Sequence, residues 1–378
     1  AHFHYRPRRL PQISWEITPQ PQSPDGSQTF ILKNLQRERY LLLNAKEHFL
    51  WDYFDGSHSL EEIARSVHVK FGAFDYMMIR QLLAKLYAVG LLLEPEALVA
   101  QQAIAARNDP RPIRLPQKIK RAWKRFSFTL PNADHFCSIL FRRGGFLLFY
   151  PTTFWLAVAI AACAVGAAVA LGAHAKQFTQ ILATMPWLST AVILATVFIV
   201  SGFHVLVHAL ACKAYHRRVR EIGFFLLQGV LPTFYADVTD IFMSTRRARL
   251  TVDLAGPMVE VVLGSVAFLA AYAVGPGLSQ ALLFGVGVML WESALINLYP
   301  FNFLEMDGYN IIADLLATPT FRQQALMLVP KLPNRFRHPS MIERAEWIQI
   351  GYLLLCFTSV LVYVVLHLDA LVKLFPKW

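Results

Sequence analysis

Charge is what this chain has least of. Asp, Glu, Lys and Arg make up only 16% of its 378 residues, against 55% that are hydrophobic. That balance speaks against a soluble protein and for one that lives in a membrane. Acids are the scarcer charged residues, 25 against 36 Lys and Arg, which leaves a net charge of +11. Cysteine is sparse too. Cys137, Cys163, Cys212 and Cys356 form no Cys-x-x-Cys pair, and three of them sit inside apolar runs. They read as small core residues rather than disulfides or metal ligands. Ala1 to Arg9 carries charge but no apolar stretch follows it. No cleavable signal peptide is therefore expected, and an internal helix is expected to direct insertion.

What the chain does have is five apolar runs, near 146–172, 185–212, 250–274, 279–299 and 347–372. Each is long enough to cross a hydrocarbon core of roughly 30 Å. The loops between them alternate in charge. Lys213, Arg217, Arg218, Arg220, Arg246, Arg247 and Arg249 crowd 213–249, and Arg322, Lys331, Arg335, Arg337 and Arg344 crowd 300–346. The stretch 173–184 offers only Lys176, and 275–278 has no charge. The positive-inside rule then puts the N-terminal part in the cytoplasm and the C-terminus, Phe375 to Trp378, outside. A bacterial inner membrane is the expected location.

Ahead of the spans, residues 1–28 are rich in Pro, Gln and Ser and read as a flexible leader. A compact domain is expected over 29–98. Thr29–Leu32 and Tyr40–Leu43 read as a strand pair, and Asn44 as the cap of a helix holding Phe49, Leu50 and Trp51. Ser59-Leu60-Glu61-Glu62 is a capping box for a second helix. A third runs near Asp75 to Val89, Gly90 ends it, and Leu91–Leu93 reads as a returning strand. Residues 99–145 form a basic connector in which Trp123, Phe126 and Phe128 are interleaved with Arg and Lys. Just before a span, such a segment reads as amphipathic and membrane-bound, with the lipid bilayer and not nucleic acid as its partner. The third helix offers phosphates only Arg80 and Lys85, so DNA is not the expected ligand.

The stretches LLLNAKEHFLWDYFDGSHSLEEIA and LLAKLYAVGLL give 29–98 a resemblance to PqqD-like domains, which have a winged-helix-like α+β character. The resemblance implies binding of a leader peptide, held as an added strand at a sheet edge. A small structural or regulatory helical domain is the plainer reading.

Chemistry concentrates around Phe203-His204-Val205-Leu206-Val207-His208. Two histidines four apart share one helix face, so both imidazoles can reach one metal ion. After the fourth apolar run comes Asn297-Leu298-Tyr299-Pro300, and then Asp307-Gly308. Pro300 breaks the helix, and Asp307 can offer a third ligand atom, leaving a tetrahedral position for water. A helix cap is the plain alternative for Asp307.

These two features, with HALACK, the EIG…FYADVTD loop and DLAGPMVE, resemble the site-2 protease family of intramembrane zinc metalloproteases. The likeness covers roughly 140–378 and makes 146–378 a membrane-embedded metalloprotease-like domain of a mostly α, polytopic fold. It implies one zinc ion held by His204, His208 and Asp307, with Asn297 and Pro300 in place. In that family a glutamate follows the first histidine, where it takes a proton from zinc-bound water and passes it to the leaving amine. This chain has Val205 there. Its loss is expected to cost on the order of 10²–10⁴ in rate.

Glu260 and Glu292 are the possible substitutes, because counting from the span ends puts both at about the depth of His204. Ionisable groups inside a span usually face the bundle interior with a partner or a task. The strands expected at Val219–Phe225 and Phe234–Val238 suggest a hairpin that pairs with an unwound substrate. Asp237 and Asp240 are expected to fix it rather than to bind metal. With Asn297, Asp237 is a candidate on the substrate-binding side.

Three readings follow. The first is a protease of membrane-associated or small peptides, served by the N-terminal domain. The second is a catalytically impaired relative that holds, matures or exports a peptide. The third, a transporter with Glu260, Glu292 and Asp307 on an ion path, is weaker.

Overall fold

The computed structural model describes residues 5–22, 26–72, 76–93, 128–227, 231–301, 306–318, 321–337 and 342–374. They divide into two compact units, Ala1–Ala122 and Trp123–Trp378.

In the first unit three strands form an antiparallel meander: β1 (Trp15–Pro19), β2 (Thr29–Asn34) and β3 (Arg39–Asn44). Three helices follow: α1 (Ala45–Tyr53), α2 (Leu60–Phe71) and α3 (Tyr76–Val89). Local chemistry starts and stops them as the sequence suggests. Asn44 Oδ1 accepts from Glu47 N at 2.8 Å while Glu47 Oε2 accepts from Asn44 N at 3.0 Å. Ser59 and Glu62 repeat the arrangement at α2, so each box satisfies two N–H groups that the helix cannot. The core beneath is made of large side chains, among them Leu32, Leu43, Leu50, Trp51, Phe54 and Ile63.

Two expectations are corrected here. Residues 1–28 are not simply a loose leader, because β1 pairs with β2 from Trp15↔Asn34 to Pro19↔Phe30. Upstream, Arg9 N donates to Phe54 O at 2.8 Å and Leu10 N to Leu91 O at 2.9 Å. Trp15 meets Trp51 edge-on at 5.3 Å. These are long-range contacts that polar composition conceals. The expected strand at Leu91–Leu93 reduces to a bridge between Arg9 and Leu92.

The second unit holds β4 (Phe128–Thr129), α4 (Ala133–Arg142), α5 (Pro151–Gly172), α6 (Ala175–Thr184) and α7 (Pro186–Ala214). The hairpin β5 (Glu221–Leu227) and β6 (Leu231–Asp237) follows, then α8 (Arg246–Ala273) and α9 (Leu278–Leu298). Last come α10 (Asp307–Leu315), α11 (Phe321–Leu328), α12 (Leu332–Arg337) and α13 (Arg344–Leu374). Five helices, α5, α7, α8, α9 and the Arg344–Val362 part of α13, are long and apolar enough to cross a membrane. This is a polytopic helical architecture compatible with a bilayer.

The stretch 99–145, expected as a connector, lies outside the described residues up to 127. Beyond that it joins the second unit: β4 pairs with β5, and α4 packs on α7. Asp134 on α4 accepts from Lys213 Nζ at 2.6 Å and from Val219 N at 2.8 Å. Burial disfavours that carboxylate, but these bonds outweigh it and hold its pKa below the ordinary range.

Candidate metal centre

The helix α7 carries His204 and His208 one turn apart, and their Nε2 atoms lie 3.0 Å from each other. The third donor comes from another part of the fold. Leu298 ends α9, and Pro300, which has no N–H to donate, follows close behind. The chain then re-enters a helix at Asp307. A Cβ on Gly308 would run into the backbone of Leu298, so only glycine lets α10 start this close to the end of α9. At the other end of α10, Arg249 Nε on α8 meets both Asp314 oxygens at 2.8 and 2.9 Å.

Held in this way, Asp307 places Oδ2 3.3 Å from His204 Nε2 and Oδ1 3.5 Å from His208 Nε2. Donor atoms of His204, His208 and Asp307 all lie within 4.8 Å of one another.

The surroundings fix which atoms face inward. His208 Nδ1 lies 2.6 Å from the Val252 carbonyl, an acceptor, so Nδ1 carries the proton and Nε2 presents a lone pair. Pro257 lies inside α8 and has no N–H to donate to the Asp253 carbonyl four residues back. Gly256 lies alongside the histidines; a Cβ there would come within 2.6 Å of His204 Nε2 and closer still to His208.

Glu260 is 4% exposed, and its Oε1 lies 2.9 Å from His204 Nδ1. The approach is off the line of a well-formed hydrogen bond, and Nδ1 has no aligned partner among the described residues. Asn297 Nδ2 holds Glu260 from the far side, at 3.2 and 3.4 Å from the two carboxylate oxygens.

This donor set fits a cation. Two imidazole nitrogens and a carboxylate oxygen converge, and facing lone pairs 3.0 Å apart repel unless a proton or a metal ion lies between them. Two histidines with one carboxylate is an established zinc ligand set, and a carboxylate or carbonyl behind each imidazole is the usual support.

The remaining candidates fall elsewhere. Glu260 stands behind the His204 ring, on the side away from Nε2 and Asp307. Glu292 joins no hydrogen bond or ion pair with a described residue and is not in the cluster. Asn297 bonds Glu260, so its side chain is engaged within the bundle. Asp237 closes the hairpin: it pairs with Arg220 at 2.9 Å and accepts from Thr239 N at 3.1 Å. Asp240 is buried and accepts from Arg218 N at 3.0 Å. Both acids therefore fix the loop. The hairpin packs on α7, with Phe234 and Phe198 ring centroids 4.8 Å apart. In the order β4-β5-β6, β6 is an edge. Of Asn302 to Glu305 nothing is described.

Sequence reading did not assign the Val252 carbonyl, the Gly256 approach or the Arg249–Asp314 clamp. A Gly-Pro pair within an apolar helix was the available signal for the first two. The clamp joins residues far apart in the chain and left none. Comparison with protein-family models, curated proteins and solved structures finds no match to this chain.

Proposed function

We propose that the second unit is a site-2-protease-like intramembrane zinc metallopeptidase acting on a membrane-associated or small peptide. The observation that carries this reading is the convergence of His204, His208 and Asp307 from two separate helices onto one point. These three residues would hold the ion. When bound, zinc supplies a Lewis acid that activates water and polarises a peptide carbonyl.

The chain's own residues supply the rest. The Val252 carbonyl and Glu260 orient the two imidazoles, and Asn297 retains Glu260. The edge of β6 can take an extended peptide as a further strand, which unwinds the bond to be cut. In the first unit, the sheet β1-β2-β3 can take a leader peptide by the same strand addition, in keeping with its PqqD-like character. By the positive-inside rule, the basic loops support a cytoplasmic first unit and an outside C-terminus.

One observation favours a second reading, a catalytically impaired scaffold that binds and passes on a peptide. Val205 accepts no proton, and the buried acid nearest the histidines, Glu260, is turned to the back of His204 rather than to the face where substrate would react.

Zinc content of the purified chain separates these readings, with His204→Ala as control and peptide cleavage followed in the Val205→Glu form. Stoichiometric zinc, lost in the control, is expected. Cleavage is expected to rise by about 10²–10⁴ in the glutamate form, the worth of a general base. Zinc without cleavage in either form selects the scaffold. A chain that binds no zinc overturns the metal reading.

A further inference from the structure

A cavity of about 970 Å³ opens between α5, α7 and α8. Trp155 and Ile160 of α5, Phe203 and Val207 of α7, and Met258 and Val262 of α8 give it apolar walls. Its hydroxyls gather at one end. There α5 begins with Tyr150 and Thr153, α7 gives way to Tyr215, and α8 contributes Thr251. From Thr251 to Leu263, both on the wall, α8 rises about 18 Å. The space is thus a slot with a polar mouth and an apolar depth.

The mouth is also positive. Arg247 lies one turn before Thr251 on the same face of α8, exposed, and its side chain meets no described residue in a hydrogen bond or ion pair. Arg142 and Arg143 lie between Phe141 and Phe146, which both line the slot. Arg143 is exposed and likewise unpaired among the described residues; Arg142 Nε reaches Ser138 O at 3.2 Å.

We infer that this slot binds an anionic phospholipid, with an acyl chain along α8 and the phosphate against Arg143 and Arg247. Charge selects the headgroup, because basic residues at a membrane surface attract anionic lipid. The walls select the chain. Beyond the mouth the Trp155 indole N–H is the one hydrogen-bonding side-chain group among the lining residues, so an extended peptide would strand most of its backbone N–H and C=O groups there, whereas an acyl chain has none to satisfy. Phe203 and Val207 flank His204 and His208 on α7, so the bound lipid braces the helix that carries both imidazoles. The inference stands apart from the metal reading and from any peptidase activity.

The test uses the full chain, purified in detergent and stripped of lipid. Native mass spectrometry then compares retention of phosphatidylglycerol with that of phosphatidylcholine, and photoreactive acyl forms of both lipids map where the chain lies. Phosphatidylglycerol is expected to be preferred roughly thirty-fold, the combined worth of two arginines at a charged surface. Its crosslinks are expected at Met258 and Val262. The double variant Arg143→Gln/Arg247→Gln, changed only at exposed positions, is expected to lose the preference while keeping the fold. Met258→Trp, which fills the slot, is expected to lose the crosslink.

Equal retention of the two lipids, or an undiminished preference in the double variant, would overturn the inference. So would crosslinks spread evenly over outward residues such as Leu354. Displacement of the crosslink by an apolar helical peptide but not by phosphatidylglycerol would also overturn it, and would give the slot to a substrate segment.

Discussion

The two units bury opposite kinds of side chain. In the first, the fully buried positions are large: Trp51, Phe54, Leu50 and Ile63. In the second, many are small, among them Ala164, Ala209, Ala211, Ala248 and Ala271, while Leu295, Leu354 and Phe357 face outward. Buried polar groups do not separate the units: the first hides Ser14, Gln20, Lys33, Asn34 and Glu47, and the second Ser189, Asp240, Arg249, Glu260 and Ser265.

The size difference is compatible with a difference of solvent. In water, folding gains most by removing large apolar surface. In a bilayer the outside is already apolar, so helices gain by close approach through small residues. The His204–His208–Asp307 cluster depends on such close approach. A glycine at 256 lets α8 reach two imidazoles, and buried Glu260 of α8 and half-buried Asp307 of α10 lie against them.

The contrast can be broken at its strongest point by Trp51→Ala. At 1% exposure this truncation is expected to cost about 3–5 kcal/mol, read as an early loss of first-unit structure in denaturant. The second unit should fail in the other direction. Ala211→Leu adds volume where the helices touch and is expected to cost about 1–3 kcal/mol, read as a lowered melting temperature in detergent.

Glu260→Ala tests the inward acid, with zinc affinity expected to fall about 10–100-fold by competition against a chelating dye. Glu260→Gln, which keeps the side chain's shape and an oxygen beside His204 Nδ1, should recover part of that loss. If the two variants weaken zinc equally, a positioning role for Glu260 is wrong. Ser59→Ala removes half of a capping box and is expected to cost about 1 kcal/mol, confined to the first unit. Smallest of all, Leu354→Ala at a position 62% exposed is expected to leave stability within about 0.5 kcal/mol. A large effect there would mean that the outward face of α13 is covered by protein.

What could be read from the chain alone is what local physics controls. The five long apolar runs appear as five helices of spanning length, because length and composition suffice for them. Asn44 with Glu47 and Ser59 with Glu62 cap helices where expected, because a cap involves residues three apart. His204 and His208 share a face because a helix turns every 3.6 residues, and Asp307 was marked by the Pro300 break before it.

Tertiary structure decided the rest. It drew β1 out of a polar leader, because strand pairing with β2 depends on a partner elsewhere in the chain. It placed Glu260 behind His204 and not before it, with Asn297 holding it there. Depth along a span is a matter of counting residues, but the side of a ring that a carboxylate meets is set by how α7, α8 and α9 rotate against one another. That rotation is fixed by contacts between residues far apart in sequence, and no local pattern encodes it.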